Sequence, residues 1–337
     1  MKNFWEKLPK NFFCLAPMAD VTDAAFRRVI AKYGKPNVFY TEFVSADGLA
    51  SKGREALKNN LLFTKKEKPI VVQLFSSNPV KMREASKYVA SLGFDGIDIN
   101  MGCPDRSVEK QGAGAAMMKD MKRAGEIIQA VKDGIKDAKK KIPVSVKTRI
   151  GYNRNQISEW IPFLLLQDIS ALTIHARTRK EMSLVPARWE HVKEVVEIRN
   201  KMKLKTKIIG NGDVKSVKEG KKLMKEIGCD GVMIGRGIFG NPWLFSLERS
   251  FLEEERSDGK GKSLPKKAIS KKLKVMLEHT KLFEKLLGKH KNFAVMKKHF
   301  KAYVSGFEGA KELRIELMNT RNAKEVENII NSFLKKD

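Results

Sequence analysis

The stretch KIIGNGDVKSVKEGKKLMKEIGCDGVMIGRG, residues 207–237, decides the fold. It contains two short apolar runs, at 207–211 and 231–235, with an amphipathic segment between them. That segment begins after Ser216 and ends at Gly228, and these residue types start and stop helices. The stretch therefore predicts a strand, a helix and a second strand, which is the repeating unit of a parallel sheet.

The same alternation of apolar runs and helical patterns extends through most of the chain. We predict further strands at 13–18, 38–43, 70–75, 96–100, 144–149 and 171–176. Eight strands alternating with helices over about 240 residues predict an α/β fold, a (β/α)8 TIM barrel, with a doubly wound sheet as the competing architecture. The segment 44–69 has the least regular pattern.

Polar residues lie at or near the carboxyl ends of five consecutive predicted strands. The active sites of barrels form at the carboxyl ends of the strands. The pattern therefore indicates a functional site at that end of the barrel. The residues are Gln73, Asn100, Cys103, Lys147, Arg149, His175, Arg177, Asn211 and Asp213.

Composition limits the class of protein. The three cysteines are far apart in the sequence, which argues against disulfides and against a zinc or iron–sulfur site and fits a reducing cytoplasm. The N-terminus lacks the continuous apolar core of a signal peptide, and no apolar run approaches the length of a membrane span, so we expect a cytoplasmic protein without a membrane partner. The net charge of +28 favours a polyanionic partner, nucleic acid before a membrane surface. The plainer alternative is a set of solvated lysines.

The chain divides by composition into three parts. We predict a barrel domain at 1–250, a polar and glycine-rich linker at 251–266 and a small all-α helical domain at 267–337. The last part shows amphipathic periodicity in Ile269, Leu273, Met276, Thr280, Phe283 and Leu287, again in Phe293, Met296, Phe300 and Tyr303, and again in Val326, Ile329, Ile330 and Phe333. Residues 262–337 contain 19 Lys and Arg against 8 Asp and Glu, so this domain is basic.

Two glycine-containing loops predict a phosphate site. The segment GNGD, 210–213, follows the seventh strand, and Gly235-Arg236-Gly237 follows the eighth. Glycines let backbone N–H groups approach a phosphate, and in barrels the loops after strands seven and eight often bind one. The plainer alternative is that these glycines only make tight turns. The segment GAGAA, 112–116, lacks the dinucleotide spacing and is expected to allow close packing behind the Cys103 loop.

Three further residues have chemistry that the pattern leaves open. Lys147 lies within an apolar strand, where a cation stabilises a bound cofactor or substrate, or else forms a structural ion pair. His175 is either a ligand-binding residue or a satisfied core histidine. Cys103 lies in a Gly/Pro turn and could be a nucleophile, a metal ligand or a proton donor, since a thiol is mostly neutral at pH 7. We expect Cys14 and Cys229 to be structural.

Ordered motifs along the chain resemble those of the tRNA-dihydrouridine synthase family. They are APMADVTDAAFR (16–27), VVQLFSSNP (71–79), IDINMGCPDRSVEKQGAGAAMM (97–118), VSVKTRIG (144–151), LTIHARTR (172–179), IIGNGDV (208–214), GVMIGRGIFGNPWLF (231–245) and MKKHFKAYVSGFEGAKELR (296–314). The resemblance implies an FMN-containing barrel with a helical RNA-binding domain. It implies reduction of the C5–C6 double bond of a tRNA uridine, with NADPH as the usual reductant and NADH possible, and no obligate protein partner.

The resemblance also assigns roles to individual residues. Cys103 would be the general acid that protonates C5 after hydride delivery to C6, and no metal is implied. Asn100 and Arg177 would touch the uracil. The residues implied for FMN are Pro17, Met18, Ala19, Gln73, Lys147, His175, Asn211, Gly212, Asp213, Gly235 and Arg236.

Two segments depart from the family pattern. Asp20 replaces an expected glycine and would put a carboxylate near the flavin edge, and 181–192 is a loose version of the loop after strand six. Two other functions remain alternatives. One is an FMN-dependent barrel reductase of a small pyrimidine or enone, which leaves the basic helical tail unexplained. The other is a non-catalytic RNA-binding protein on a barrel scaffold.

Overall fold

The computed structural model describes residues 3–246 and 264–336. Eight parallel strands form one sheet in the order β1-β8-β7-β6-β5-β4-β3-β2. The sheet closes at a bridge between Cys14 and Val38, where β1 meets the start of β2. The strands are β1 Phe12–Leu15, β2 Phe39–Ser45, β3 Ile70–Phe75, β4 Gly96–Met101, β5 Val144–Arg149, β6 Ala171–His175, β7 Lys207–Asn211 and β8 Gly231–Ile234.

This strand order confirms the predicted (β/α)8 barrel and rejects the doubly wound sheet, because each strand lies beside its neighbour in sequence around a closed circuit. The barrel helices are α1 Ala24–Tyr33, α2 Ala46–Leu49, α3 Arg54–Leu57, α4 Pro79–Ser91, α5 Arg106–Glu109, α6 Met121–Asp137, α7 Ile157–Leu165, α8 Glu190–Lys201 and α9 Val217–Ile227. The irregular segment 44–69 contains α2, α3 and two turns of 3-10 helix.

The first strand is shorter than its apolar run predicts. It ends at Leu15 rather than at residue 18. Ala16 still donates its N–H to Ile234 O at 2.9 Å, but Pro17 has no N–H and cannot continue the ladder. The chain therefore leaves the sheet at Pro17 and turns across the carboxyl end of the barrel. The other seven predicted strands differ from the observed ones by two residues or fewer at either end.

Helices follow the barrel at the C-terminus, as predicted. They are α10 Lys266–Leu287, α11 Val295–Tyr303, α12 Ala310–Met318 and α13 Ala323–Lys336. The predicted linker at 251–266 lies outside the described residues as far as position 263. Helix α12 was not predicted as a separate helix. The proposed division into domains stays a prediction.

The C-terminal helices share an apolar core with the barrel. Ala25 and Val29 of α1 pack with Trp243 and with buried residues of α10, including Leu273 and Met276. An ion pair joins Lys32 of α1 to Glu278 of α10 at 2.8 Å. The apolar periodicity seen in the sequence therefore serves two contacts, one among the helices and one against α1.

Two histidines lie inside this shared core. His279 is 0% exposed and His299 is 1% exposed, with their ring centroids 4.7 Å apart. Within the described residues, none of their four ring nitrogens has a hydrogen-bond partner. Burial lowers the pKa of His279 to about 3, and burial followed by the charge of His279 lowers the pKa of His299. Both rings are therefore neutral in the folded protein.

We expect the buried histidines to make the protein less stable in acid. An unfolded histidine has a pKa of about 6.5, so below that pH the unfolded state binds protons that the folded state excludes. Stability is thus lost as pH falls from about 6.5 towards about 3. As pH falls, the free energy of unfolding of His279→Leu should decrease less steeply than that of the wild type, by up to about 1.4 kcal/mol per pH unit.

Urea unfolding between pH 7 and pH 5 measures this difference. His290→Leu, at an exposed position, is the control and should follow the wild type. Parallel pH profiles for His279→Leu and the wild type would contradict the inference that His279 is neutral in the folded protein.

Candidate active site

A cavity of about 570 Å³ opens at the carboxyl ends of the strands. It lies between the turn after β1 and the loops after β7 and β8. Its lining combines apolar side chains, glycines and cations. The lining residues are Ala16, Pro17, Met18, Lys147, His175, Arg177, Asn211, Gly212, Asp213, Val214, Lys215, Met233, Gly235, Arg236 and Gly237.

The cavity brings together most of the residues singled out from the sequence. Of the fourteen residues to which the resemblance assigns a role, ten line the cavity directly. Ala19, Gln73, Asn100 and Cys103 are not among its lining residues. Gln73 and Asn100 are buried beside it, and Cys103 lies on the turn that follows β4.

Lys147 and His175 occupy neighbouring strands at the cavity floor. Burial, followed by the charge of Arg149, lowers the pKa of Lys147 to about 8. Burial, followed by the charge of Lys147, holds the pKa of His175 well below its ordinary value. His175 Nε2 lies 3.1 Å from Arg177 Nη1. A guanidinium only donates, so the neutral imidazole accepts at Nε2.

Arg177 forms part of the cavity wall and is only 2% exposed. Its guanidinium forms a salt bridge with Asp213 and donates to Val185 O at 2.6 Å. Burial opposes ionisation of Asp213, but hydrogen bonds from Arg177 and from the Ala187 N–H outweigh it and lower the pKa of this carboxyl. The pair therefore fixes the loop after β6 against the loop after β7.

The loop after β8 presents backbone and positive charge to the cavity. A Cβ on Gly237 would lie 2.4 Å from Val214 O, and a Cβ on Gly212 would lie 2.6 Å from Ala187 Cβ. These contacts explain why both positions are glycine. Arg236 is 62% exposed, and its Nη2 lies 3.4 Å from Asp213 Oδ1. The cavity thus has a solvent-exposed cation, at ion-pair distance from Asp213, beside close-packed glycine turns.

The Cys103 turn is held from several directions. Asn100 Oδ1 accepts from the N–H groups of Gly102 at 3.1 Å and Cys103 at 2.9 Å. Arg149 Nε donates to Gly102 O at 2.8 Å, and Ala115 N donates to Cys103 O at 2.9 Å. The thiol is partly exposed, and burial raises its pKa. It is therefore protonated at neutral pH.

The glycines of GAGAA perform the packing role predicted for them. Gly114 has a φ of +62°, and a Cβ there would lie 2.7 Å from Cys103 O. A larger residue would push the Cys103 turn away from its position. Cys14 and Cys229 are buried, and burial raises the pKa of both thiols.

The sequence did not single out a hydrogen-bond chain beneath the cysteine. Asn100 Nδ2 donates to Gln73 Oε1 at 3.0 Å, and Gln73 Nε2 donates to Asp98 Oδ2 at 2.7 Å. Asp98 is 0% exposed, and burial raises its pKa to about 6. Its signal in the sequence was an acidic residue inside GIDIN, a strand of a predicted barrel, where a buried carboxylate needs hydrogen-bond partners.

Arg149 was noted at a strand end but not assigned to the site. Besides holding Gly102, its Nη1 donates to Thr178 O at 3.0 Å and Met182 O at 2.8 Å. One buried guanidinium therefore connects the Cys103 turn with the loop after β6. In that loop the Leu184 side chain is 86% exposed, whereas the backbone is held by Arg149.

The fold and this site together define a (β/α)8 protein with a cavity lined by cations at the carboxyl ends of its strands and a protonated thiol on a neighbouring turn. A family model, dihydrouridine synthase (Dus), matches residues 14–336. The chain is 40% identical over 339 residues to "Probable tRNA-dihydrouridine synthase 2" of Bacillus subtilis (strain 168), covering 99% of this chain and 98% of that protein. It is 40% identical over 336 residues to "Probable tRNA-dihydrouridine synthase" of Staphylococcus aureus (strain COL), covering 98% and 96%.

The chain therefore belongs to the dihydrouridine synthase family, which consists of flavin-dependent oxidoreductases that modify tRNA. Two solved structures share its fold at low sequence identity. Histamine dehydrogenase from Rhizobium sp. 4-9 has a TM-score of 0.52 at 13% identity, covering 81% of this chain and 49% of that one. A 2-naphthoyl-CoA reductase has a TM-score of 0.52 at 11% identity, covering 70% and 49%. Among the described helices, none is both long enough and apolar enough to cross a membrane.

Proposed function

We propose that the protein reduces the C5–C6 double bond of one uridine in tRNA to 5,6-dihydrouridine, with FMN in the strand-end cavity and NADPH as reductant. The observation that carries this proposal is a protonated thiol held on a fixed turn beside a cationic cavity. Asn100 pairs with Lys147 in the β4–β5 register, which brings the Cys103 turn next to the cavity floor.

The cavity residues fit a flavin mononucleotide. Arg236, Gly235 and Gly237 offer charge and close backbone approach to a phosphate. Met18 and Pro17 supply apolar surface beside the Gly235 turn, where a Cβ on Gly235 would lie 3.5 Å from Met18 Sδ, and Lys147 supplies a further cation. When bound, the flavin supplies the hydride. Asn211, Gly212 and Asp213 are proposed to hold the part of the ligand nearest the phosphate, with His175 at the floor.

Cys103 is proposed as the general acid. Hydride addition at C6 leaves negative charge on C5 and the C4 carbonyl, so C5 must receive a proton. A group that is protonated at neutral pH can give it, and the raised pKa of the Cys103 thiol meets that requirement. An ordinary carboxylate would already have lost its proton. Of the three roles that the sequence left open, proton donation fits these surroundings best.

The tRNA is proposed to bind through the basic surface of the protein. The net charge is +28, and α10 exposes Lys274, Lys281 and Lys285 along one side. A uridine in folded tRNA must leave its stack at a cost of a few kcal/mol, which phosphate contacts offset. Each phosphate contact should add roughly −0.7 to −0.9 to the log–log salt slope of tRNA binding.

A reoxidation assay tests the proposed function. The purified protein is reduced anaerobically with NADPH and then mixed with unmodified tRNA or with free uridine. We expect tRNA, but not free uridine, to reoxidise the flavin. We also expect the tRNA recovered from the reaction to contain dihydrouridine. Reoxidation by the free pyrimidine alone would establish a small-molecule reductase instead. A purified protein that binds no flavin would establish the non-catalytic alternative.

Asn100 is expected to act by positioning the thiol. Its Oδ1 already accepts two backbone N–H groups and its Nδ2 is bonded to Gln73, so the predicted uracil contact stays a prediction. Asn100→Ala should lower kcat for tRNA by about 10–100-fold, since displacement of a reacting group by about 1 Å has an effect of that size. The flavin spectrum should not change.

Asn100→Ser supplies the comparison, because a serine hydroxyl can restore part of the turn. Its kcat should lie between those of Asn100→Ala and the wild type. A rise in KM with unchanged kcat in Asn100→Ala would instead favour direct contact with the substrate.

A further inference from the structure

Lys291 connects the C-terminal helices to the carboxyl end of the barrel. It lies between α10 and α11, and its Nζ donates to Glu42 Oε1 at 2.8 Å and Oε2 at 3.0 Å. The same ammonium donates to Asp20 Oδ1 at 3.1 Å. The Lys291 side chain is 14% exposed and that of Glu42 is 4% exposed. This ion pair is therefore well shielded from solvent.

A β-bulge points Glu42 towards these partners. In the β2–β3 register, Tyr40 pairs with Val71 and Phe43 pairs with Gln73, so Thr41 and Glu42 both lie opposite Val72. Two residues opposite one is the arrangement of a bulge, which bends a strand and redirects its side chains. Bulges of this kind are common beside active sites.

Glu42 also holds the turn that follows β1. The Asp20 N–H donates to Glu42 Oε1 at 2.6 Å, and Asp20 has a φ of +53°. At the other side of the turn, Met18 N donates to Thr22 Oγ1 at 2.9 Å. Met18 lines the cavity. Glu42 therefore holds the turn that forms one wall of the proposed flavin site.

Asp20 gives this chain an additional link. A glycine would suit the positive φ at this position, and aspartate is among the few other residues that tolerate it. The turn is therefore kept. The carboxylate points to Lys291, whereas the sequence suggested a negative charge at the flavin edge. A glycine would offer Lys291 no partner at this position.

We propose that Lys291, Glu42 and Asp20 form a clamp through which the C-terminal helices position the turn at 17–22 and thereby the wall of the cavity. Lys291 neutralises the buried Glu42 carboxylate, and that carboxylate fixes the positive-φ backbone at Asp20. Lys291 is a positioning residue, since it acts through Glu42 and Asp20.

Amide hydrogen exchange of the flavin-free protein tests the clamp without relying on the proposed function. Lys291→Met removes the charge but keeps most of the side-chain volume. We expect exchange of the peptide covering residues 17–22 to accelerate at least about tenfold, the factor that corresponds to about 1.4 kcal/mol of lost protection. Lys291→Arg should remain within about threefold of the wild type, because it keeps the charge.

Lys32→Met is the matched control. It removes the ion pair between α1 and Glu278, which also joins the barrel to α10 but has no contact with the 17–22 turn. Exchange of the 17–22 peptide should not change in this variant. Equal acceleration in Lys32→Met and Lys291→Met would overturn the proposal, because it would show general loosening of the helices. Wild-type exchange in Lys291→Met would overturn it as well.

Asp20→Asn keeps the proposal testable should Lys291→Met fail to fold. Asparagine tolerates the same backbone conformation but carries no charge. We expect the 17–22 peptide to exchange at least about threefold faster, and unchanged exchange would contradict the clamp.

Steady-state kinetics with tRNA add a second readout, which rests on the proposed function. Lys291→Met should lower kcat by about 3–10-fold with KM within twofold of the wild type, as a displaced cavity wall would do. A rise in KM alone would identify Lys291 as a tRNA contact instead. Absence of tRNA turnover in the wild type would defeat the proposed function but leave the exchange result intact.

Discussion

Cys103→Ala should bind flavin and accept electrons from NADPH like the wild type, while its reduction of tRNA falls by roughly 10²–10⁴-fold. The reason is that the thiol is the proposed proton source for C5, and its raised pKa keeps that proton in place at neutral pH. Stopped-flow measurement of the two half-reactions separates the effects. The reductive half-reaction should be unchanged, and only reoxidation by tRNA should slow.

Cys229→Ala is the control for this experiment. Cys229 is a buried thiol just before the amino end of β8, whereas the cavity opens at the carboxyl ends of the strands, and it has no role in the proposed chemistry. Its oxidative half-reaction should match that of the wild type. Wild-type turnover in Cys103→Ala would remove the general-acid role. A parallel loss in both half-reactions would point to a damaged flavin site rather than to a missing acid.

Lys147→Met should weaken FMN binding by about 10–150-fold, the range that corresponds to loss of a hydrogen bond to a charged group worth about 1.5–3 kcal/mol. Lys147 is the cation that β5 contributes to the lining of the cavity. Fluorescence titration of the flavin-free protein with FMN measures the dissociation constant. Lys215→Met, at another cation lining the cavity, shows how much of the effect is general electrostatics.

The same titration should depend on pH in a defined direction. Burial lowers the pKa of Lys147 to about 8, so the flavin-free protein loses this charge as pH rises through that value. An anionic ligand prefers the protonated form, and FMN affinity should therefore fall above about pH 8, by up to tenfold per pH unit. Lys147→Met should lack this dependence. An identical pH profile in the variant would show that another group titrates.

Much of the site followed from sequence because of topology. Once 70–75, 96–100, 144–149, 171–176 and 207–211 were identified as parallel strands, their carboxyl ends had to meet at one end of the barrel. Lys147, His175 and Asn211 were therefore expected to lie together, and all three line the cavity. The tight turns after β7 and β8 were also predictable, because each contains glycines. The structure gives the reason for glycine there, since Gly212 and Gly237 approach other residues too closely for a side chain.

The hydrogen-bond partners could not be read in the same way. Asp98, Gln73 and Asn100 form one chain beneath the Cys103 turn, yet each of their side chains had several possible partners in the sequence. Which partner is chosen depends on side-chain direction in the barrel interior. Arg149 illustrates the point, because its guanidinium bonds to backbone carbonyls of two separate loops, and carbonyls carry no sequence signal.

The sequence by itself determined the barrel, its helical C-terminal part and the end of the barrel at which the cavity opens. These properties rest on local periodicity, turn residues and strand order, which neighbouring residues encode. Only the tertiary structure decided that Lys291 meets Asp20 across 271 positions of sequence and that Glu42, turned by a bulge, joins them. A contact of that kind exists only after distant elements have packed, because packing, and not local preference, brings the charges within bonding distance.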